Sequence, residues 1–379
     1  MDQTAMPMVD LQGQYRKIKD DIDNALQEVL DSGAFIGGAA VNRFSAHLSD
    51  YLDRCHVVTC ANGTDALQIA LMALGLHPGD EVIVPAFTYV ASAEVIGLLQ
   101  LTPVLVDVDP YTFNVTADTI APAISSRTRA IIPVHLFGQS CDMEPILQLA
   151  ETHGLHVVED NAQAIGATYT FADGHRMHTG TMGAIGCTSF FPSKNLGCYG
   201  DGGALLTRDS MLAERLRMIA NHGQREKYHH AIIGCNSRLD AVQAAILDVK
   251  LHHLDEYTAA RRAAADYYDT HLNGLPGLTI PTRLASSTHV FHQYTLRVGG
   301  GLRDALRTHL AAHGIPSMVY YPLPLQQQEA FRSISRTVGD LAVATTLASE
   351  VLSLPMHTEL TPAMQDRVID AIHDFFKQH

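Results

Sequence analysis

An α/β fold on a large, mostly parallel mixed sheet, with a smaller carboxyl-terminal α+β domain, is predicted by two patterns in the sequence. Short apolar runs alternate with segments of helical period through the first two thirds of the chain, as parallel βα units require. Several of these runs are apolar throughout rather than alternating, which is how strands covered on both faces read. At 379 residues the chain exceeds one typical domain, so a second one is expected beside the core domain.

The strands are placed at residues 81–85, 103–108, 130–135, 156–159, 186–190 and 203–207. Helices are expected at 65–74 and 91–99, and the break Gly75-Leu76-His77-Pro78-Gly79-Asp80 stops the first and turns the chain. Residues 169–177, centred on Asp173-Gly174, predict a hairpin. From Asp240 one long helix is predicted to reach Tyr268, and the junction between a large domain (1–250) and a small one (251–379) is placed inside it. The small domain is assigned a strand at 287–298, a helix at 301–313, a strand at 316–321 and closing helices.

The formal charge of −14, with no cluster of Lys and Arg, argues against nucleic-acid binding and against an anionic membrane surface. No run of about 18 apolar residues occurs, so no membrane span is expected. Met1-Asp2-Gln3-Thr4 carries no basic secretory leader. Six scattered cysteines and 21 histidines lack metal-ligand spacing and read as those of a reduced, cytoplasmic protein without a structural metal.

Of the six lysines, Lys17, Lys19, Lys227, Lys250 and Lys377 stand in polar or helical surroundings that read as surface. Lys194 stands among Phe, Pro and Gly in Ser189-Phe190-Phe191-Pro192-Ser193-Lys194-Asn195-Leu196-Gly197. Poor hydration there lowers its pKa and makes the nucleophilic amine accessible, as an imine-forming lysine needs; the alternative is an amine that reaches water or pairs with Asp201. Upstream, Val157-Val158-Glu159-Asp160 is an apolar strand ending in a carboxylate.

A pyridoxal 5′-phosphate site needs a lysine, an acid at the pyridine nitrogen, a phosphate cradle and an aromatic cover. Asp160 is the acid, unless it caps a helix, and Gln163 is placed to reach the ring oxygen. Gly63 and Thr64 open an apolar helix whose free amides suit a phosphate, and Ser189 adds a hydroxyl. Tyr89 follows a strand and could stack on the ring or be an ordinary core aromatic. Asn236 offers phosphate an uncharged donor. Arg238 offers a planar fork to an anion, or an ion pair to Asp240 or Glu226.

Taken together, Asn62-Gly63-Thr64-Asp65, Glu159-Asp160-Asn161-Ala162-Gln163, Ser193-Lys194, Gly200-Asp201-Gly202-Gly203 and Asn236-Ser237-Arg238-Leu239-Asp240 resemble the DegT-type nucleotide-sugar aminotransferases. The resemblance implies fold-type I of the pyridoxal-phosphate enzymes, with Lys194 carrying the cofactor and Asp160 at its ring nitrogen. It implies a cytoplasmic homodimer in which Asn236 reaches the partner's phosphate. L-glutamate would be the amino donor, leaving as 2-oxoglutarate, and a keto sugar on a nucleotide the acceptor. Asn-Ser-Arg at 236–238 is similar to the 3-keto-sugar enzymes, in particular those acting on UDP-2-acetamido-2-deoxy-3-keto-glucuronic acid for surface polysaccharide such as O-antigen. There Arg238 would hold the uronate carboxylate and Tyr320 and Tyr321 would meet the sugar. Those enzymes typically have His-Tyr-Pro where this chain has Tyr320-Tyr321-Pro322. A dTDP-3-keto-6-deoxyhexose aminotransferase and a non-catalytic cofactor-binding regulator are the competing expectations.

Overall fold

Eight strands form one sheet, in the spatial order His56–Cys60, Gly203–Thr207, Ile185–Ser189, His156–Asp160, Thr128–Ile131, Glu81–Pro85, Thr102–Val106 and Arg336–Thr337. They belong to a computed structural model that describes residues 6–378; the leader reading of Met1 to Thr4 falls outside those residues. Gly203–Thr207 runs antiparallel to both of its neighbours, and every other adjacent pair is parallel. Glu81–Pro85 is buried at all five positions; its last four residues are apolar without alternation for that reason, and the buried Glu81 carboxylate is paired with Arg127 and Arg336.

The pairing register decides where chemistry can gather. Asp160 lies opposite Cys187, Ser189 opposite Gly203, and Gly203 opposite Cys60. The carboxyl ends of His56–Cys60, His156–Asp160 and Ile185–Ser189 therefore meet along one edge, where open α/β sheets hold their ligands. Helix Gly63–Ala73 leaves that edge directly after the first of these strands, with Ala66, Leu67, Ile69 and Ala70 in the core against the sheet.

A second, antiparallel sheet joins Leu278–Thr279, Tyr294–Val298 and Val351–Leu354. Helices Leu254–Leu272, Arg303–Ala312 and Pro362–Phe376 share its core through Tyr268, Leu306, Leu310, Val368 and Ile372. Met6, from the other end of the chain, is buried in the same core. Leu341, Ala344 and Leu347 return instead to the core of the large sheet.

Several expectations are corrected. The long helix from Asp240 is two helices, Ala241–Leu251 and Leu254–Leu272, broken where His252 turns its ring back to the Asp248 carbonyl at 2.7 Å. Residues 316–321 form no strand; only Met318 bridges to Ser353. The strand expected at 287–298 begins at Tyr294. His56–Cys60 escapes sequence reading because its five residues carry only a short apolar signal, with His56 and Thr59 half-buried.

Candidate active site

Asp160 closes its strand, and no helix follows it to be capped. Its Oδ2 accepts from the Ser92 hydroxyl at 2.7 Å and its Oδ1 from the Ala162 amide at 3.1 Å. Ser92 in turn shares a 3.1 Å hydrogen bond with Thr88. Two donors leave a carboxylate half of its acceptor capacity for a ligand. The preceding residue does structural work. Glu159, fully buried, accepts from the amides of Gly180, Met182 and Gly183 at 2.6–2.7 Å. It also meets His135 Nε2 at 2.9 Å. The Cys141 amide donates to His135 Nδ1, so the proton stands on Nε2 and points at Glu159. The His135 amide also donates to the Asp160 carbonyl at 3.0 Å, holding the strand end in place.

Lys194 crowns a closed turn, its amide donating to the Phe191 carbonyl and that of Cys198 to Phe190, both at 2.8 Å. The side chain is half-buried, and its amine has no hydrogen-bond partner among the described residues; Asp201 does not pair with it. Burial pulls the ammonium from 10.5 down to about 8, and Asp160 opposes the shift. His292, buried beside it, is driven well below the usual histidine range by burial, Lys194 and Arg261. An amine whose charged form is destabilised, at the strand end that carries a carboxylate, is what an imine-forming site requires.

The expected cradle comes together. A Cβ on Gly63 would lie 2.6 Å from that of Ser189, so the helix start and the strand end are in direct contact. Asn62 caps the helix by accepting from Asp65 N at 2.8 Å, and no acceptor among the described residues meets the amides of Gly63 and Thr64. Unpaired amides at the positive end of an 11-residue helix, beside a hydroxyl, match a phosphate.

Gln163 accepts from Phe137 N at 2.7 Å and donates to the Tyr321 hydroxyl at 3.1 Å. The Tyr321 ring lies 6.0 Å from that of Tyr89 and 5.9 Å from that of Tyr320. Tyr89 is 56 % exposed, so it is no core aromatic and its ring is free to cover a ligand. Asn236 and Arg238 are exposed, alternating with buried Ser237 and Leu239. Arg238 pairs with neither Asp240 nor Glu226, and neither side chain is drawn to Lys194 or Asp160 within the chain. Ser237 ties their segment to the cradle, accepting from Ala61 N at 3.0 Å and donating to Asp65 at 2.6 Å.

Sequence reading missed Ser92, Thr88, Glu159 and His135. Ser92 opens helix Ala91–Leu98 four residues after Thr88, which lies in the bend before it, a spacing that is the one local hint that the two hydroxyls meet. The residues present fit pyridoxal phosphate: an unpartnered amine whose charge is destabilised, an underused carboxylate, and a helix start with vacant donors. No group of three or more metal-binding side chains occurs among the described residues, and no helix among them is long and apolar enough to cross a membrane.

The DegT/DnrJ/EryC1/StrS aminotransferase family matches residues 16–373. A pleiotropic regulatory protein of Geobacillus stearothermophilus is 46% identical over 98% of this chain and 99% of its own length. A UDP-N-acetyl-3-dehydro-alpha-D-glucosamine 3-aminotransferase of Acidithiobacillus ferrooxidans is 46% identical over 97% of each chain. A UDP-2-acetamido-2-deoxy-3-oxo-D-glucuronate aminotransferase of Pseudomonas aeruginosa is 45% identical over 94% of this chain and 96% of its own. The solved structure of Streptomyces venezuelae DesV superposes with a TM-score of 0.94 at 42% identity, covering 98% of this chain and 99% of that one.

Proposed function

Since the chain belongs to the DegT/DnrJ/EryC1/StrS aminotransferase family, whose cofactor is pyridoxal 5′-phosphate, we propose that it moves the amino group of L-glutamate to C3 of UDP-2-acetamido-2-deoxy-3-keto-glucuronic acid. The carrying observation is the Lys194 amine, half-buried, unpartnered among the described residues and lowered to about 8, at the sheet edge where Asp160 ends its strand. When bound, the cofactor supplies a ring that accepts electrons from a breaking C–H bond.

The chain's own groups divide the remaining work. Lys194 takes and returns a proton at its Nζ, a role its lowered pKa suits near neutral pH. Asp160, steadied by Ser92 and the Ala162 amide, holds a proton on the ring nitrogen. Gly63, Thr64 and Ser189 bind the phosphate, Tyr89 covers the ring, and Gln163 orients it while anchored to Phe137 and Tyr321. Arg238 pairs in bidentate fashion with the uronate carboxylate, and Tyr320 and Tyr321 wall the sugar.

Asn236 serves the partner's phosphate across a homodimer. Ile233 at 87 % exposure and Tyr228 at 79 % lie near it in sequence and would be covered by a partner there. We divide the chain at residue 250, close to the helix break at His252 and His253. The product feeds surface polysaccharide, O-antigen in a lipopolysaccharide, and the enzyme works in the cytoplasm.

The relative named for a dehydroglucosamine supports a second acceptor, the corresponding sugar without the carboxylate; a dTDP-3-keto-6-deoxyhexose is a third. Offering all three to the purified enzyme with L-glutamate, and measuring amino sugar by mass spectrometry, separates them. The uronic acid should turn over fastest, and Arg238→Ala should remove that preference. Faster turnover of a sugar lacking the carboxylate sinks the uronate assignment and leaves amino transfer standing.

A further inference from the structure

Lys250, read from the sequence as a surface lysine, is 1 % exposed. It lies near the end of helix Ala241–Leu251, and its Nζ donates to the Gly197 carbonyl at 2.5 Å. The Tyr199 ring centre is 5.3 Å away, and no carboxylate pairs with it among the described residues. Burial lowers this ammonium to about 8, so it stays protonated at neutral pH. A buried cation without a counter-ion is costly, and a methionine would fill the same space without that cost.

What it grips is the turn that carries Lys194. Gly197 packs so tightly on the start of that turn that a Cβ would lie 2.4 Å from the Pro192 carbonyl oxygen and 2.8 Å from that of Phe191. The Phe191 carbonyl in turn receives the Lys194 amide. A shift of Gly197 toward that turn would therefore push on Pro192 and Phe191, the residues from which the Lys194 amide takes its acceptor. On the other side, Asn195 Nδ2 donates to the Val290 carbonyl at 2.9 Å. Arg261 repeats the device next door, donating to the carbonyls of Phe291, His292 and Met356 at 3.1–3.4 Å. Two buried cations thus tie the lysine turn and the 290–292 segment to neighbouring helices through carbonyl oxygens alone.

We propose that Lys250 is a positioning residue for Lys194: its charge-assisted hydrogen bond to Gly197 sets the turn, and with it the place of the Lys194 amine relative to Asp160. This rests on Lys194 being the residue that binds the cofactor, and reduction of the holoenzyme with borohydride followed by peptide mass mapping tests that separately. Cofactor fixed elsewhere than Lys194 overturns the reading of the site and this inference with it.

With Lys194 confirmed, the inference stands or falls on Lys250→Met and Lys250→Arg holoenzymes. Three quantities decide: the pH midpoint of the bound cofactor's visible absorbance, kcat, and KM for L-glutamate. Lys250→Met should move the midpoint by about half a pH unit or more and lower kcat about tenfold with KM little changed, as expected when a reacting group is misplaced rather than substrate binding lost. Lys250→Arg, which keeps a charged donor, should restore both. A wild-type midpoint and kcat in Lys250→Met overturns the inference, as does a Lys250→Arg enzyme equally impaired. If Lys250→Met does not fold, Lys250→Arg decides alone: a midpoint near that of the wild type supports the role and a displaced one overturns it.

Discussion

Gly63 and Ser189 touch across the join between a helix start and a strand end, with room for 2.6 Å between a Cβ on the glycine and the Cβ of the serine. Real side chains do not approach so closely, so Gly63→Ala must push apart the two elements that form the phosphate cradle. We expect a loss of about 1–3 kcal/mol in stability from overpacking and a weaker hold on pyridoxal phosphate. Cofactor titration of the apoprotein, followed by absorbance, checks this; undiminished affinity would place the phosphate elsewhere.

Glu159 gathers three backbone amides and His135 around one buried carboxylate. Glu159→Ala leaves all four donors without that acceptor in the interior. Removing one partner of such a buried set typically costs about 3–5 kcal/mol, so urea denaturation should show a large fall in midpoint. A fall below about 1 kcal/mol would mean that water replaces the carboxylate.

Lys194 imposes a pH-dependent cost on the cofactor-free protein. Its folded pKa of about 8 lies below the unfolded value of 10.5, so between them the unfolded state holds more protons and stability attributable to this group rises with pH. Lys194→Met should therefore stabilise the apoprotein most below pH 8, by at most about 3 kcal/mol at 1.36 kcal/mol per unit. The advantage should fade as pH approaches 10.5. Paired melts of the two apoproteins across this range test it, and a constant difference would contradict the assigned shift.

Ser92 donates directly to Asp160. In Ser92→Ala the carboxylate keeps only the Ala162 amide, and a hydrogen bond to a charged group is worth about 1.5–3 kcal/mol. Catalytic turnover should fall about tenfold or more while the fold and cofactor content persist, since 1.36 kcal/mol is a factor of ten in rate. Steady-state kinetics beside the cofactor spectrum would reveal whether the loss lies in turnover, as expected, or in cofactor retention.

Gln163→Ala removes the only acceptor that the described residues offer the Phe137 amide. An orphaned buried donor costs about 1–3 kcal/mol, and the Tyr321 hydroxyl loses its partner at the same time. Thermal melts should show the loss in apoprotein and holoprotein alike, because the Phe137 bond does not involve the cofactor. A loss confined to the holoprotein would argue that Gln163 acts only through its ligand.

The sequence by itself determined the α/β class, the strands at 81–85 and 203–207 and the nomination of Lys194, Asp160, Gly63, Ser189 and Gln163. These follow from local signals: apolar runs, a carboxylate ending a strand, a glycine opening a helix, a lysine among apolar residues. Tertiary structure alone decided that Gly203–Thr207 runs against its neighbours and that Arg336–Thr337 completes the large sheet. It alone brought Ser92 to Asp160 across 68 residues and Lys250 to Gly197 across 53. The reason is that a serine or lysine at helical period reads the same whether its face meets solvent or a distant loop. Only packing determines which face is covered, and with it whether a charge is solvated or held to a carbonyl in the interior.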